Sequence, residues 1–175
     1  FRGVWLNTFP SVGEKIREDD DPFWEACQAN KIAVHFHVRV MRKPTKPRPK
    51  GKRGDDLTGL ASVGAADFII DMSEIITSGV HDRFPDLTWV AVETGSGWIP
   101  YILEQLDDRW WRNRSWLPVK LKHEPSYYYR RNWMSAFMVD HYAVRNLHLL
   151  GVDNLMWSTD YPHHGCDWPE TRKTV

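Results

Sequence analysis

Asp160 closes the apolar run Leu155-Met156-Trp157-Ser158-Thr159 and is followed at once by Tyr161-Pro162-His163-His164. A carboxylate, a proline that cannot continue a β-ladder because it lacks an N–H, and two imidazoles mark this as the chemical end of a strand. Two other runs have the same character. In Ile32-Ala33-Val34-His35-Phe36-His37-Val38, a period of two puts His35 and His37 on one face and Val34, Phe36 and Val38 on the other. Leu87-Thr88-Trp89-Val90-Ala91-Val92-Glu93 ends in a carboxylate before Thr94-Gly95-Ser96-Gly97 breaks the chain. A histidine and two acids that converge can bind a divalent cation, zinc favouring imidazole and carboxylate and manganese tolerating more oxygen. Such a cation polarises a carbonyl or lowers the pKa of a bound water to about 7. Each residue also has a plainer reading. Asp160 can open a turn, His37 can be a satisfied core histidine, and Glu93 can anchor the glycine turn. The residues alone leave both readings open.

The elements that would position these groups alternate along the chain. Gly3 to Asn7 reads as a strand, and Asp21-Pro22 starts a helix with aspartate at its cap and proline in its first turn. After the His35/His37 strand, residues 65–78 carry Phe68, Ile69, Met72, Ile75 and Ile76 in one helical stripe that Gly79 stops. The Glu93 strand follows, and then a helix over residues 98–114. Residues 116–129 read as a long aromatic and basic connection, residues 133–137 as a strand, and Asp140 as the cap of a helix to Leu150. Gly151 ends that helix before the Asp160 strand. Five strands separated by helices imply a parallel sheet with right-handed crossovers. Ligands bind at the carboxyl ends of such strands, where His37, Glu93 and Asp160 fall. The segment 42–53, dense in Lys, Arg and Pro, has no periodicity and reads as an exposed, trypsin-sensitive loop, either a solvated insertion or a rim to the active face.

Composition narrows the class. The 175 residues are 42% apolar with 10 tryptophans, enough for one globular domain with a sizeable core. Lys plus Arg equals Asp plus Glu at 23 each, so no overall field draws the chain to nucleic acid or an anionic membrane. Two cysteines, Cys27 and Cys166, are too few for a disulfide framework and fit a reducing cytoplasm. No apolar run approaches the roughly 20 residues of a membrane helix. The abrupt ends predict a longer natural polypeptide.

His37 within its strand, Ser78-Gly79-Val80-His81-Asp82-Arg83-Phe84-Pro85-Asp86-Leu87, Glu93-Thr94-Gly95-Ser96-Gly97-Trp98, and Gly151-Val152-Asp153-Asn154-Leu155-Met156-Trp157-Ser158-Thr159-Asp160-Tyr161-Pro162-His163 together resemble the amidohydrolase-related family, which includes aminocarboxymuconate-semialdehyde decarboxylase and the resorcylate decarboxylases. The resemblance covers nearly the whole chain. It implies a metal-dependent TIM (β/α)₈ barrel represented here by about strands four to eight, with residues 1–175 a single domain lacking the front and the C-terminal end of the barrel. It also implies that His37 and Asp160 are metal ligands, that Asp160 handles a proton, and that the protein is a homodimer. Two departures stand out. The family's first-strand His-x-His pair has no counterpart, because His35-Phe36-His37 has the spacing in the wrong place. Where many relatives carry a histidine on the sixth strand this chain has Glu93, which then becomes a candidate for proton transfer.

The expected activity is metal-assisted hydrolysis or non-oxidative decarboxylation of a small carboxylate-bearing, aromatic substrate, with zinc ahead of manganese. Asp160 and Glu93 are the catalytic candidates, and His163 and Trp98 the candidate substrate contacts. The competing expectation is a non-catalytic barrel that binds a ligand or partner through the aromatic and basic segment 110–130.

Overall fold

A computed structural model describes residues 1–13, 15–37 and 66–174. In chain order its elements are β1 (Gly3–Leu6), α1 (Asp21–Ala29), β2 (Ala33–His37), α2 (Ala66–Thr77), α3 (Val80–Arg83), β3 (Trp89–Val92) and α4 (Ile99–Asn113). There follow α5 (Pro125–Asn132), β4 (Trp133–Phe137), α6 (His141–Arg145), α7 (Leu147–Leu150), β5 (Leu155–Trp157) and α8 (Thr171–Thr174). The strands form one parallel sheet in the order β1-β2-β3-β4-β5. Every strand therefore ends at the same edge. The expected loop at 42–53 lies outside the described residues.

Period-two alternation sorts the strand residues by face. Val34, Phe36, Trp89, Ala91 and Trp133 are buried against the helical layer. Their rings run across three neighbouring strands: Phe36 stacks on Trp89 at 5.6 Å, and Trp89 on Trp133 at 5.8 Å. Phe68, Met72, Ile75 and Ile76 of α2 close over them, the apolar stripe that the sequence predicts. Gly79 stops α2 at φ +80°, a conformation that a Cβ would strain, and α3 begins at once.

The segment Val80 to Leu87 ties the layers together. Arg83 grips Asp21 at the start of α1 through two bonds of 2.7 and 3.0 Å. Asp82 accepts from the Tyr128 hydroxyl at 2.8 Å, and the Asn132 amide donates to the carbonyls of Pro85 and Leu87. His81 is buried beneath the aromatic column, where its Nε2 accepts from Trp133 Nε1 at 3.0 Å. The motif is thus a structural knot that fixes the entry to β3.

Four elements differ from the sequence reading. The expected connection at 116–129 contains the start of α5, because Glu124-Pro125 opens a helix whose tyrosines then bury. The helix expected from Asp140 to Leu150 breaks at Asn146, whose φ of −115° leaves the helical range. The strand expected at 154–159 pairs only over Leu155–Trp157, and Trp157 is exposed rather than buried on both faces. The 87–93 strand contracts to Trp89–Val92, with Glu93 turned out of the ladder.

Candidate active site

Parallel strands bring three of the sequence-predicted groups to one edge. His37 is the last residue of β2, Glu93 follows the last residue of β3, and Asp160 lies three residues past β5. The His37 Nε2 stands 2.9 Å from Glu93 Oε2, with both side chains about a quarter exposed. The contact is an ion pair when the imidazole is charged. Glu93 and Asp160 together border a hollow of about 50 Å³, with Val92, Phe137 and Ser158 among its other walls. A nitrogen and two carboxylates thus form a connected series around the strand ends.

The two acids share an unusual backbone. Glu93 has φ +60° and Asp160 has φ +56°, in the left-handed region that few non-glycine residues occupy. The conformation costs roughly 1–2 kcal/mol, and Val12 and Lys31, away from the strand ends, share it. Strain of this kind gathers where a side chain must be aimed. Around Glu93 the aim is held from the next loop. Asp140 Oδ2 accepts from the N–H groups of Ser96 and Gly97 at 2.7 Å each, while its Oδ1 caps α6 at Ala143 N, 2.9 Å away. Gly97 permits this approach, because a Cβ there would lie 2.8 Å from Asp140 Oδ1. The sequence marks Asp140 only as a helix cap.

The remaining predicted residues divide. His163 joins the mouth: its Nδ1 lies 2.8 Å from Asp160 Oδ2, and its backbone N–H donates to the Asp160 carbonyl at 2.8 Å. The ring approach is an ion pair when the imidazole is charged, but it lacks hydrogen-bond alignment, and Oδ2 is buried without a hydrogen bond. A misdirected contact satisfies a carboxylate poorly, and His163 Nδ1 accepts from the Gly165 N–H at 3.3 Å instead. His164 lies against the His163 ring and is exposed. Trp98 turns away from the mouth toward the helical layer, donating its indole N–H to the Thr94 carbonyl at 2.9 Å and meeting Phe68 edge-on. His35 lies one layer below His37, and burial pushes its pKa down. Its ring covers Gly3, where a Cβ would fall 2.4 Å from Nε2.

Imidazole nitrogen and carboxylate oxygen are donors of the right kind for zinc or manganese. The buried Oδ2 of Asp160 is suited to a cation. Among the described residues, however, no three His, Cys, Asp or Glu side chains stand close enough to hold an ion by themselves. The donor set fits in kind and is incomplete in number.

The amidohydrolase family model matches residues 1–173, and the chain belongs to that family. Among solved structures it is similar to 5-carboxyvanillate decarboxylase from Sphingomonas paucimobilis, at 27% identity and a TM-score of 0.71 over 92% of this chain and 48% of that one. The 2,6-dihydroxybenzoate decarboxylase from Rhizobium matches at 20% identity and a TM-score of 0.63 over 93% and 52%. Dihydroxybenzoic acid decarboxylase from Polaromonas sp. JS666, with bound manganese and the inhibitor 2-nitroresorcinol, matches at 19% and 0.57 over 90% and 51%. This chain therefore spans about half the length of these barrels. No curated protein matches it. The five-stranded parallel sheet is part of a TIM barrel of the amidohydrolase type.

Proposed function

We propose that the protein to which this chain belongs is a metal-dependent, non-oxidative decarboxylase of an aromatic carboxylic acid. The observation that carries the reading is the series His37, Glu93 and Asp160 at the shared carboxyl edge of β2, β3 and β5, with both acids in strained backbone. Likeness to the Sphingomonas decarboxylase favours decarboxylation over hydrolysis. In this reaction the ring carbon–carboxylate bond breaks, carbon dioxide leaves, and the electron pair left on the ring takes a proton.

His37 and Asp160 would be the metal ligands contributed by this chain. When bound, the metal supplies charge stabilisation for the anionic oxygens of the substrate. The remaining work falls to side chains. Glu93, beside His37 Nε2, orients the imidazole by its charge. Asp160 carries the proton that replaces the carboxylate, its buried Oδ2 being open to a proton as well as to a cation. His163, against that same oxygen, is a candidate contact to the leaving carboxylate. Trp98 contributes by packing the start of α4.

Manganese in the Polaromonas relative supports manganese beside zinc as the ion. No helix among the described residues is long and apolar enough to cross a membrane, and two free cysteines accord with a cytoplasmic setting. A single domain for residues 1–175 and a homodimer complete the reading. The test is to supply the full-length protein with manganese or zinc and measure bound metal by elemental analysis and carbon dioxide release from 5-carboxyvanillate and 2,6-dihydroxybenzoate. The reading expects near-stoichiometric metal and release from at least one acid. A metal-free protein that still folds, with no turnover of either acid, would refute it.

A further inference from the structure

Trp5 lies on β1 on the same face as Gly3, because side chains two apart on a strand point the same way. The register pairs it with His35, so its indole stands beside the histidine-bearing face of β2. The ring stacks on His37 with centroids 4.9 Å apart and planes 27° from parallel. Its N–H donates to Asn7 Oδ1 at 2.8 Å, so the indole is held at its edge as well as across one face. Yet Trp5 is 51% exposed. With one face on His37 and the N–H engaged, that exposure belongs mainly to the other face. Trp5 lies on the histidine-bearing face of the edge strand β1, opposite the face on which Trp89 and Trp133 are buried against the helices.

We propose that Trp5 is a specificity-determining platform: it holds the plane of the His37 imidazole with one face and stacks the planar ring of the substrate on the other. This deepens the decarboxylase reading and rests on it. The recognised chemistry is an aromatic ring bearing a carboxylate, which an indole face prefers to a saturated ring of similar size because flat π-surfaces offset-stack. Substrate discrimination would then reside on β1, beside the His37 end of β2. The Gly3 clearance under His35 leaves the layer below Trp5 filled by imidazole, so the platform cannot sink into the sheet.

The experiment compares full-length wild type, Trp5→Phe and Trp5→Leu, each loaded with manganese. Binding of 2,6-dihydroxybenzoate and of cyclohexanecarboxylate is measured by calorimetry, with melting temperature and metal content recorded on the same samples. Trp5→Leu is expected to weaken the aromatic acid by about tenfold while changing the saturated acid less than about twofold, with Trp5→Phe falling between. The ratio of the two affinities is a readout that a merely structural role would not move. Equal weakening of both acids, or an unchanged ratio in Trp5→Leu, overturns the platform while leaving the decarboxylase reading intact. A wild type that binds manganese but neither acid overturns both.

Discussion

His81 has the most perturbed imidazole among the described residues, and it lies nowhere near the mouth. Burial lowers its pKa to about 3, since no carboxylate faces it and a charged ring would be stranded among Trp89, Trp133 and Tyr128. A strong shift produced by desolvation alone marks a core group, whereas His37 stands beside Glu93 at the proposed site. The shift has a consequence for stability. Above about pH 6.5 His81 is neutral both folded and unfolded, but below it the unfolded chain gains a proton that the native state refuses until about pH 3. Stability is therefore fully present above pH 6.5 and falls with pH by roughly 1.4 kcal/mol per unit across that window. Denaturant unfolding at pH 7 and pH 5 should show His81→Gln losing about 2 kcal/mol less than wild type between the two. Equal losses would mean that His81 takes up its proton within the native core. At this scale the sequence is a partial guide. His35 and His37 on one face follow from alternation, and Glu93 and Asp160 follow from the ends of apolar runs. Trp5 is not legible, because a tryptophan in a strand reads as core until its exposure and its partner are known.

Asp140 shows what the element scale adds. From sequence it is a helix cap, and it does accept from Ala143 N. Its second oxygen binds backbone N–H groups 43 and 44 residues away, which no local pattern announces. The β3–α4 loop and the β4–α6 loop are thereby one unit, and Glu93 departs from the first of them. Gly97→Ala should cost about 1–3 kcal/mol, since its Cβ would meet Asp140 Oδ1 at 2.8 Å and the Tyr142 ring at 3.1 Å. Asp140→Ala should cost a comparable amount through the unpaired N–H groups. The double variant should cost less than the sum, because the clash and the bonds involve the same carboxylate. Additive losses in denaturant titrations would show that the two loops are not joined this way. Element boundaries were the least legible feature for the same reason: α5 and the break at Asn146 depend on tertiary partners. Asn154, for instance, donates to the carbonyls of Arg130 and Trp133 and so sets where α5 yields to β4.

For the whole molecule, five alternating βα units and their parallel order are legible because each strand is a short apolar run bounded by helix signals. The competing expectation of a binder acting through segment 110–130 finds little support. The Arg114 guanidinium lies 3.5 Å over the Trp111 ring, and Lys120 donates to the carbonyls of Arg114 and Ser115. Those cations are engaged within the chain. A mainly apolar hollow of about 350 Å³ lies between Leu106, Trp110, Trp116 and Val119, but the groups able to do acid–base or metal chemistry gather at the strand-end edge. The central claim is that Asp160 works there as both metal ligand and proton carrier. Asp160→Asn tests it most directly. Asparagine tolerates φ +56° as well as aspartate does, so the fold should persist while the charge is lost. Turnover per folded full-length molecule, metal content and melting temperature should be measured together for Asp160→Asn and His37→Ala. The account predicts at least about a hundredfold loss of turnover in Asp160→Asn, a melting temperature near wild type, and no rescue by added manganese. In His37→Ala, metal occupancy falls and added manganese restores part of the activity. An Asp160→Asn protein that melts earlier but turns over substrate at the wild-type rate would contradict the account.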